Sequence, residues 1–296
     1  LDSTTVYALY LGELRTSIGR SLRKGQSRPE NEAAFKIFVP LWLLLNGLRD
    51  GTNSPNPTKE MLLSYLREAG DFEGFLKVAK DHHVERNFGS ELQRAHEAFL
   101  FASYFDELIS DSLLFVNAFH LSNYRGCVIA LRCMLEDMYR HLYYKDNREY
   151  FIRVHNNGES EHSLKLAPAS FREYLSKASY LKILSSVKES FTVPPSKTVE
   201  GFLKLNEELY SRTSSFVHGA APRTLNGFES NLDLIFDSAR ADEVLKLANL
   251  VAMLIVVFLC CGHLDQFAGL NESVKREVFK VFPGSLHARL RQTLRV

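Results

Sequence analysis

Several chemistries have no foothold in this sequence. Cysteine is scarce: four residues in 296, at Cys127, Cys133, Cys260 and Cys261, none in the spaced pairs of a zinc site. The adjacent Cys260-Cys261 reads as buried helix surface, and this usage points to a reducing, cytoplasmic setting. There is no glycine-rich phosphate loop and no serine-hydrolase elbow. Neither sign of charge is in excess. Lysine and arginine total 36 against 35 acidic residues, a net charge of +1. Global attraction to a polyanion is therefore excluded, and any such site must come from local clustering. No apolar run reaches the roughly 20 residues a membrane-spanning helix needs. The longest, Leu247 to Gly262, contains Asn249 and gives way to polar residues from His263 to Gln266. It reads as a helix buried on all sides within a bundle, and no membrane association is expected. Leu1 onward shows no charged segment leading into an apolar core, so no secretory signal is expected. Internal repeats and low-complexity tracts are absent.

What is present is helical periodicity. Hydrophobic residues make up 45% and charged residues 24%, an ordinary balance that supports a sizeable core. Apolar residues recur at helical spacing over Val6 to Leu22 and over Glu32 to Leu48, with Pro40 placed to kink or break the second segment. Thr58 can cap a further helix carrying Met61, Leu62 and Leu66, and Phe72 to Lys80 reads as a short one. Glu91 to His120 reads as one long helix or two abutting ones, and Asn123 to Tyr144 as an amphipathic helix. A polar loop spans Asn156 to Ser163, and Pro168 to Ser190 holds one helix or two. Pro194-Pro195 marks a break, after which Thr198 is expected to open a helix ending at Gly219 and Pro222. Ala220 to Asn231 is a polar return. Ala239 to Phe267 is the apolar helix, and Glu272 to Phe282 a last short one before a basic end. The predicted fold is all-α, a helical bundle. A soft boundary near residue 95 separates an N-terminal helical region, 1–95, from the main bundle, 96–296.

Within the stretch Leu209 to Gly219, Arg212 precedes His218 by six residues. An always-cationic guanidinium near a group that titrates close to neutral pH is a useful pair at a phosphodiester. On an ideal helix six residues span about 9 Å and 600° of rotation, 120° short of two turns. The long arginine must cover that offset, or the helix must loosen through Thr213-Ser214-Ser215, whose hydroxyls compete for backbone partners. The plain structural alternative has His218 at the negative end of the helix dipole and Arg212 paired with Glu208 one turn earlier. Arg132 and Glu136 share one face of the Asn123–Tyr144 helix beside a broad apolar stripe, either as an ion pair or as part of a site. Tyr210 and Ser214 complete the supporting residues. Arg15, Arg20, Arg23, Lys24 and Arg28 occur without an intervening acid, as do Arg289, Arg291 and Arg295. Such clusters suit phosphate contacts or a solvated face. His82-His83, His155 and His162 lack the partners of a recognised ligand set, so neither metal nor cofactor is expected.

Taken together, these residues resemble the HEPN superfamily, helical domains whose signature is an arginine and a histidine four to six residues apart near a helix end. Arg212 and His218 fit with five between. Thr213 stands where the family usually carries Asn, Asp or His. The helix holding Arg132 and Glu136, running into Tyr143-Tyr144-Lys145-Asp146, resembles an early helix of several HEPN groups. The resemblance extends over roughly residues 96–282, with residues 1–95 as an N-terminal extension. It implies a metal-independent endoribonuclease: the ribose 2′-hydroxyl attacks the adjacent phosphate, His218 moves the proton, and Arg212 stabilises the phosphate. It also implies a homodimer sharing one cleft, an inhibitory or activating protein partner, and a role as a toxin or anti-phage effector. The alternative is a non-catalytic HEPN-like module that binds a protein partner or a nucleotide. A metal-dependent hydrolase built on the spare histidines is the third and weakest reading.

Overall fold

The computed structural model describes residues 28–50, 85–155, 157–193, 197–217 and 236–294. Of these, 79% are helical and the only sheet among them is a two-stranded hairpin, so the chain is all-α. The expected helices over Val6–Leu22, after Thr58, and over Phe72–Lys80 lie outside the described residues.

The first helices, α1 (Pro29–Lys36) and α2 (Val39–Asp50), meet at a tight turn. The break falls one turn before Pro40, which becomes the second residue of α2. There it sacrifices no hydrogen bond, because the first turn of a helix has no partners for its N–H groups. The long α3 (Glu85–His120) follows. Ser122 ends it with a positive φ of 58°, and the Asn123 N–H returns to the Ala118 carbonyl at 2.8 Å, the left-handed closure usual at helix C-termini. Asn123 then caps α4 (Tyr124–Asp146), its side chain accepting from the Gly126 N–H at 2.9 Å. Residue 95, the sequence-based boundary, falls inside α3, and α1 and α2 pack against the bundle's own helices and share its core.

After α5 (Arg148–His155) come α6 (Pro168–Lys177), a single turn α7 (Ser179–Lys182) and a 3-10 turn, Ile183–Ser186. Strands β1 (Ser190–Val193) and β2 (Lys197–Glu200) pair antiparallel, Phe191 opposite Val199. This corrects the expectation that Thr198 opens a helix. Val193, Phe191 and Val199 are buried while Ser190, Thr192, Thr198 and Glu200 are exposed, a period of two that a short segment reveals only when one face is covered. Gly201, with a φ of 74°, turns the chain out of β2. A Cβ there would sit 3.0 Å from the Val187 carbonyl oxygen. Helix α8 (Phe202–Val217) starts directly after it.

The apolar segment forms α9 (Ser238–Gly262), capped by Asp237, whose carboxylate accepts from the Ala239 and Arg240 N–H groups. Its 25 residues exceed the apolar run seen in the sequence, and by length and composition it can cross a bilayer. Yet 78% of its most apolar window is buried inside the protein. It contacts α1, α2, α4, α7 and α8, and every residue from Leu250 to Gly262 is buried. The chain closes with α10 (Leu264–Ala268), α11 (Glu272–Phe279) and α12 (Gly284–Leu294).

At Gly262 α9 packs tightly against α4. A Cβ added there would lie 2.4 Å from Leu142 Cδ2, and Leu142 is fully buried. Overpacking of this kind costs about 1–3 kcal/mol, partly offset by the better helix propensity of alanine. Gly262→Ala is expected to lower stability by about 1–2 kcal/mol, read as a reduced urea midpoint with unchanged slope.

Candidate functional site

Helix α8 lies between α4 and α9, and its two flanks carry different chemistry. Its buried stripe includes Phe202, Leu205, Leu209 and Thr213. Tyr210 and Ser214, one turn apart, emerge on the α4 side. Arg212 is about 200° of helical rotation from each of them and emerges on the α9 side.

On the α4 flank the structure assembles Arg132, Glu136, Tyr210 and Ser214. The Arg132 side chain is only 8% exposed. Its Nε donates to Glu136 Oε1 at 2.7 Å, and its Nη1 donates to Ser214 Oγ at 2.6 Å and to the Tyr210 carbonyl at 3.3 Å. Its Nη2 reaches the Tyr210 hydroxyl. The guanidinium also lies 3.3 Å from the Tyr210 ring centroid, and Arg172 lies 3.7 Å from the same ring. A tyrosine flanked by two guanidinium groups gains from cation–π attraction, and Arg172 is neutralised by Glu207 at 2.7 Å. Nearby, Tyr139 donates to Asn206 at 2.6 Å. Arg132 thus has its charge matched and its donors used. It fastens α4 to α8.

On the α9 flank Arg212 ion-pairs with Glu243 of α9, in place of the Glu208 partner offered by the simple i,i+4 reading. Glu208 still adds a favourable charge from the same flank. The Arg212 side chain is 9% exposed. Burial lowers the guanidinium's pKa from its ordinary value, and Glu243 works against that shift. Two of its nitrogens, Nε and Nη1, are buried without a hydrogen-bond partner among the described residues. Thr213 turns inward, its hydroxyl donating to the Leu209 carbonyl at 2.9 Å. His218 lies outside the described residues, which end on α8 at Val217.

The other sequence candidates scatter. Arg289 pairs with Glu189 at 3.2 Å, and Arg291 lies 5.3 Å from the Phe279 ring. Arg28 sits 4.0 Å from the Phe236 ring. Arg15, Arg20, Arg23 and Lys24 lie outside the described residues, as do His82 and His83. His155 hydrogen-bonds Tyr104 at 2.9 Å and His162 is exposed. No grouping of three or more metal-ligating side chains occurs among the described residues. All four cysteines are free thiols. Burial, aided by Asp111, Asp137 and Glu136, pushes the Cys133 thiol up to about 11, which leaves it protonated and unreactive at neutral pH.

Two clusters escaped the sequence reading. The first is a carboxyl pair, Asp111 of α3 and Asp137 of α4. Burial, then the Asp111 charge, pushes Asp137 up to about 7, and Asp111 is raised as well. Two buried carboxylates side by side do not both ionise cheaply, and Arg140, 3.5 Å from Asp137, offsets part of the shift. A folded-state pKa above the unfolded one stabilises at low pH, and that contribution is lost as pH rises through about 7. Asp137→Asn keeps a donor for Asp111 and removes the charge. It is expected to be more stable than the parent above pH 8, each pKa unit relieved being worth about 1.4 kcal/mol, with the gain closing near pH 4, about the unfolded value of an aspartate. Urea midpoints across that range check it.

The second cluster is His141 of α4 and His263 at the end of α9, with Nε2 atoms 2.7 Å apart. Both are buried among Phe101 and Phe105. His263 Nδ1 lies 2.8 Å from Gln266 Oε1. A carbonyl oxygen only accepts, so Nδ1 of His263 carries the hydrogen and its Nε2 accepts from His141. Burial drives His263 down to about 3, which keeps its ring neutral near pH 7. Their separation of 122 residues gave no local signal.

Comparison of the chain with protein-family models, with curated proteins and with solved structures yields no match in any of the three.

Proposed function

We propose that this chain is a metal-independent endoribonuclease of the HEPN type, with Arg212 holding the scissile phosphate and His218 moving the proton. The observation that carries this reading is the state of Arg212 near the C-terminal end of α8. Two buried guanidinium N–H groups, Nε and Nη1, have no acceptor among the described residues. Buried donors left without acceptors are costly, and a phosphate oxygen is the acceptor a guanidinium fork matches best. His218 follows six residues on. In the reaction the ribose 2′-oxygen attacks phosphorus as a base takes its proton. The P–O5′ bond breaks, the leaving oxygen receives a proton, and the products are a 2′,3′-cyclic phosphate and a 5′-hydroxyl. A homodimer would supply two histidines for the two proton transfers. A toxin or anti-phage role held in check by a partner fits such an enzyme.

Glu243 bears on how such a site works. It occupies one side of the guanidinium, and Nε and Nη1 are buried, so a phosphate reaches Arg212 only when the groups covering those nitrogens move or the carboxylate is displaced.

The same pair also favours a second reading, a non-catalytic HEPN-like module that binds a protein partner or a nucleotide. A 9% exposed arginine on an internal glutamate is a common structural tie. The two readings separate on one measurement. The purified protein, incubated with end-labelled single-stranded RNA and EDTA, is expected to release fragments with cyclic phosphate and 5′-hydroxyl ends. Intact RNA, or cleavage that EDTA abolishes, rejects the nuclease reading.

A further inference from the structure

The outer edge of β2 makes no backbone hydrogen bond among the described residues. The Gly201 N–H donates to the Glu189 carbonyl at 3.1 Å. With Ser190 opposite Glu200 and Thr192 opposite Thr198, antiparallel alternation makes Glu189/Gly201, Phe191/Val199 and Val193/Lys197 the hydrogen-bonded pairs. The N–H and C=O groups of Thr198 and Glu200 therefore point away from β1, to the outer edge of β2. Both side chains are exposed. No other backbone hydrogen bond reaches either residue among the described residues.

Beside this edge runs an open groove of about 730 Å³ between α6, β2 and α8. Val199, Leu203 and Phe258 give it apolar lining, and the charged residues around it are Glu200, Glu207, Glu208 and Lys204. Glu208 already adds its charge to Arg212. Glu207 is matched by Arg172, whereas Glu200 has no ion-pair partner among the described residues. An unpaired strand edge is a template for another strand, and protein edges of this kind are used to bind extended peptides.

We propose that β2 takes up an extended peptide segment as a third strand, with a lysine or arginine of that segment set against Glu200 and an alternate apolar side chain in the groove. Main-chain bonds to Thr198 and Glu200 supply the alignment, and the exposed Glu200 carboxylate selects the basic residue. This site does not use Arg212 and does not depend on the nuclease reading. Its partner is a protein segment and not RNA.

The test uses the full chain and a synthetic library of end-capped octapeptides with a central lysine and the other positions varied, followed by fluorescence anisotropy on the best binders. Binding tighter than about 100 µM is expected. It should weaken at least about tenfold when the peptide amides facing β2 are N-methylated. Glu200→Lys, a change at an exposed side chain, should weaken it similarly. Thr198→Pro removes an outer-edge N–H without touching a hairpin bond and should do the same, with helix content as the folding control. Should Thr198→Pro fail to fold, the N-methylated peptides and Glu200→Lys still decide. No binder in the library, binders insensitive to N-methylation, binders indifferent to Glu200→Lys, or displacement of peptide by single-stranded RNA would each overturn the proposal.

Discussion

His218→Ala is expected to reduce RNA cleavage by about 10²–10⁴-fold, the usual contribution of a positioned proton donor or acceptor. Arg212→Ala should cost about 10²–10³-fold through the loss of donors aimed at the charge that builds on phosphate. The two losses should not add if both groups serve one transition state. Arg212→Lys is expected to rescue little, because an ammonium keeps the charge but lacks the planar fork. Stability gives the needed control. Glu243 is 34% exposed, so water can take over its solvation when the arginine is removed. Arg212→Ala should therefore melt close to the parent. Cleavage at the parental rate by both Arg212→Ala and His218→Ala would remove the site. A large drop in melting temperature for Arg212→Ala, with no cleavage by the parent, would instead mark the Arg212–Glu243 pair as a structural tie.

The second large effect is on acid stability. His263 has a folded-state pKa of about 3, against an unfolded value of about 6.5. A depressed value means that the unfolded chain takes up the proton first. The stabilising contribution is complete above the unfolded pKa and is lost as pH falls from there toward the folded value. Each unit of that window is worth about 1.4 kcal/mol, so several kcal/mol are at stake between pH 6.5 and 4. Asp137 acts in the opposite sense over part of the same range, since its folded pKa is raised. The net slope is a difference of the two, and variants separate them. The double variant His141→Phe with His263→Leu places apolar groups beside Phe101 and Phe105 and should flatten the loss of stability on the acid side. Asp137→Asn should steepen it. Urea unfolding at half-unit pH intervals measures both slopes. An acid limb unchanged in the double variant would show that the histidine pair does not govern it.

How much of this was legible in the sequence varies with the range of the interaction. The amphipathic helix over Asn123–Tyr144, the long helix ending at His120 and the apolar segment within Ala239–Phe267 follow from periodicity and side-chain chemistry acting over one or two turns. The hairpin did not, because four-residue strands carry too little pattern and the Pro194-Pro195 break fits several outcomes. Arg132 and Glu136 were readable as a pair, but their use was not. Tyr210 and Ser214, 78 and 82 residues away, complete the cluster, and no local rule places them there. Arg212 was found by its spacing to His218, while its partner Glu243, 31 residues on, replaced the nearer Glu208.

The sequence alone determined that the chain folds as helices, where several of them begin and end, and which segment is apolar enough to lie at the centre. Those properties depend on hydrogen bonds and side-chain contacts within a few residues. The tertiary structure decided which charges meet. It tied Arg132 to α8, set Glu243 on Arg212, joined the two histidines and set two half-buried carboxyls side by side. Each of those pairings depends on how α3, α4, α8 and α9 come together, and the energy of a buried charge is set by the neighbours that packing provides.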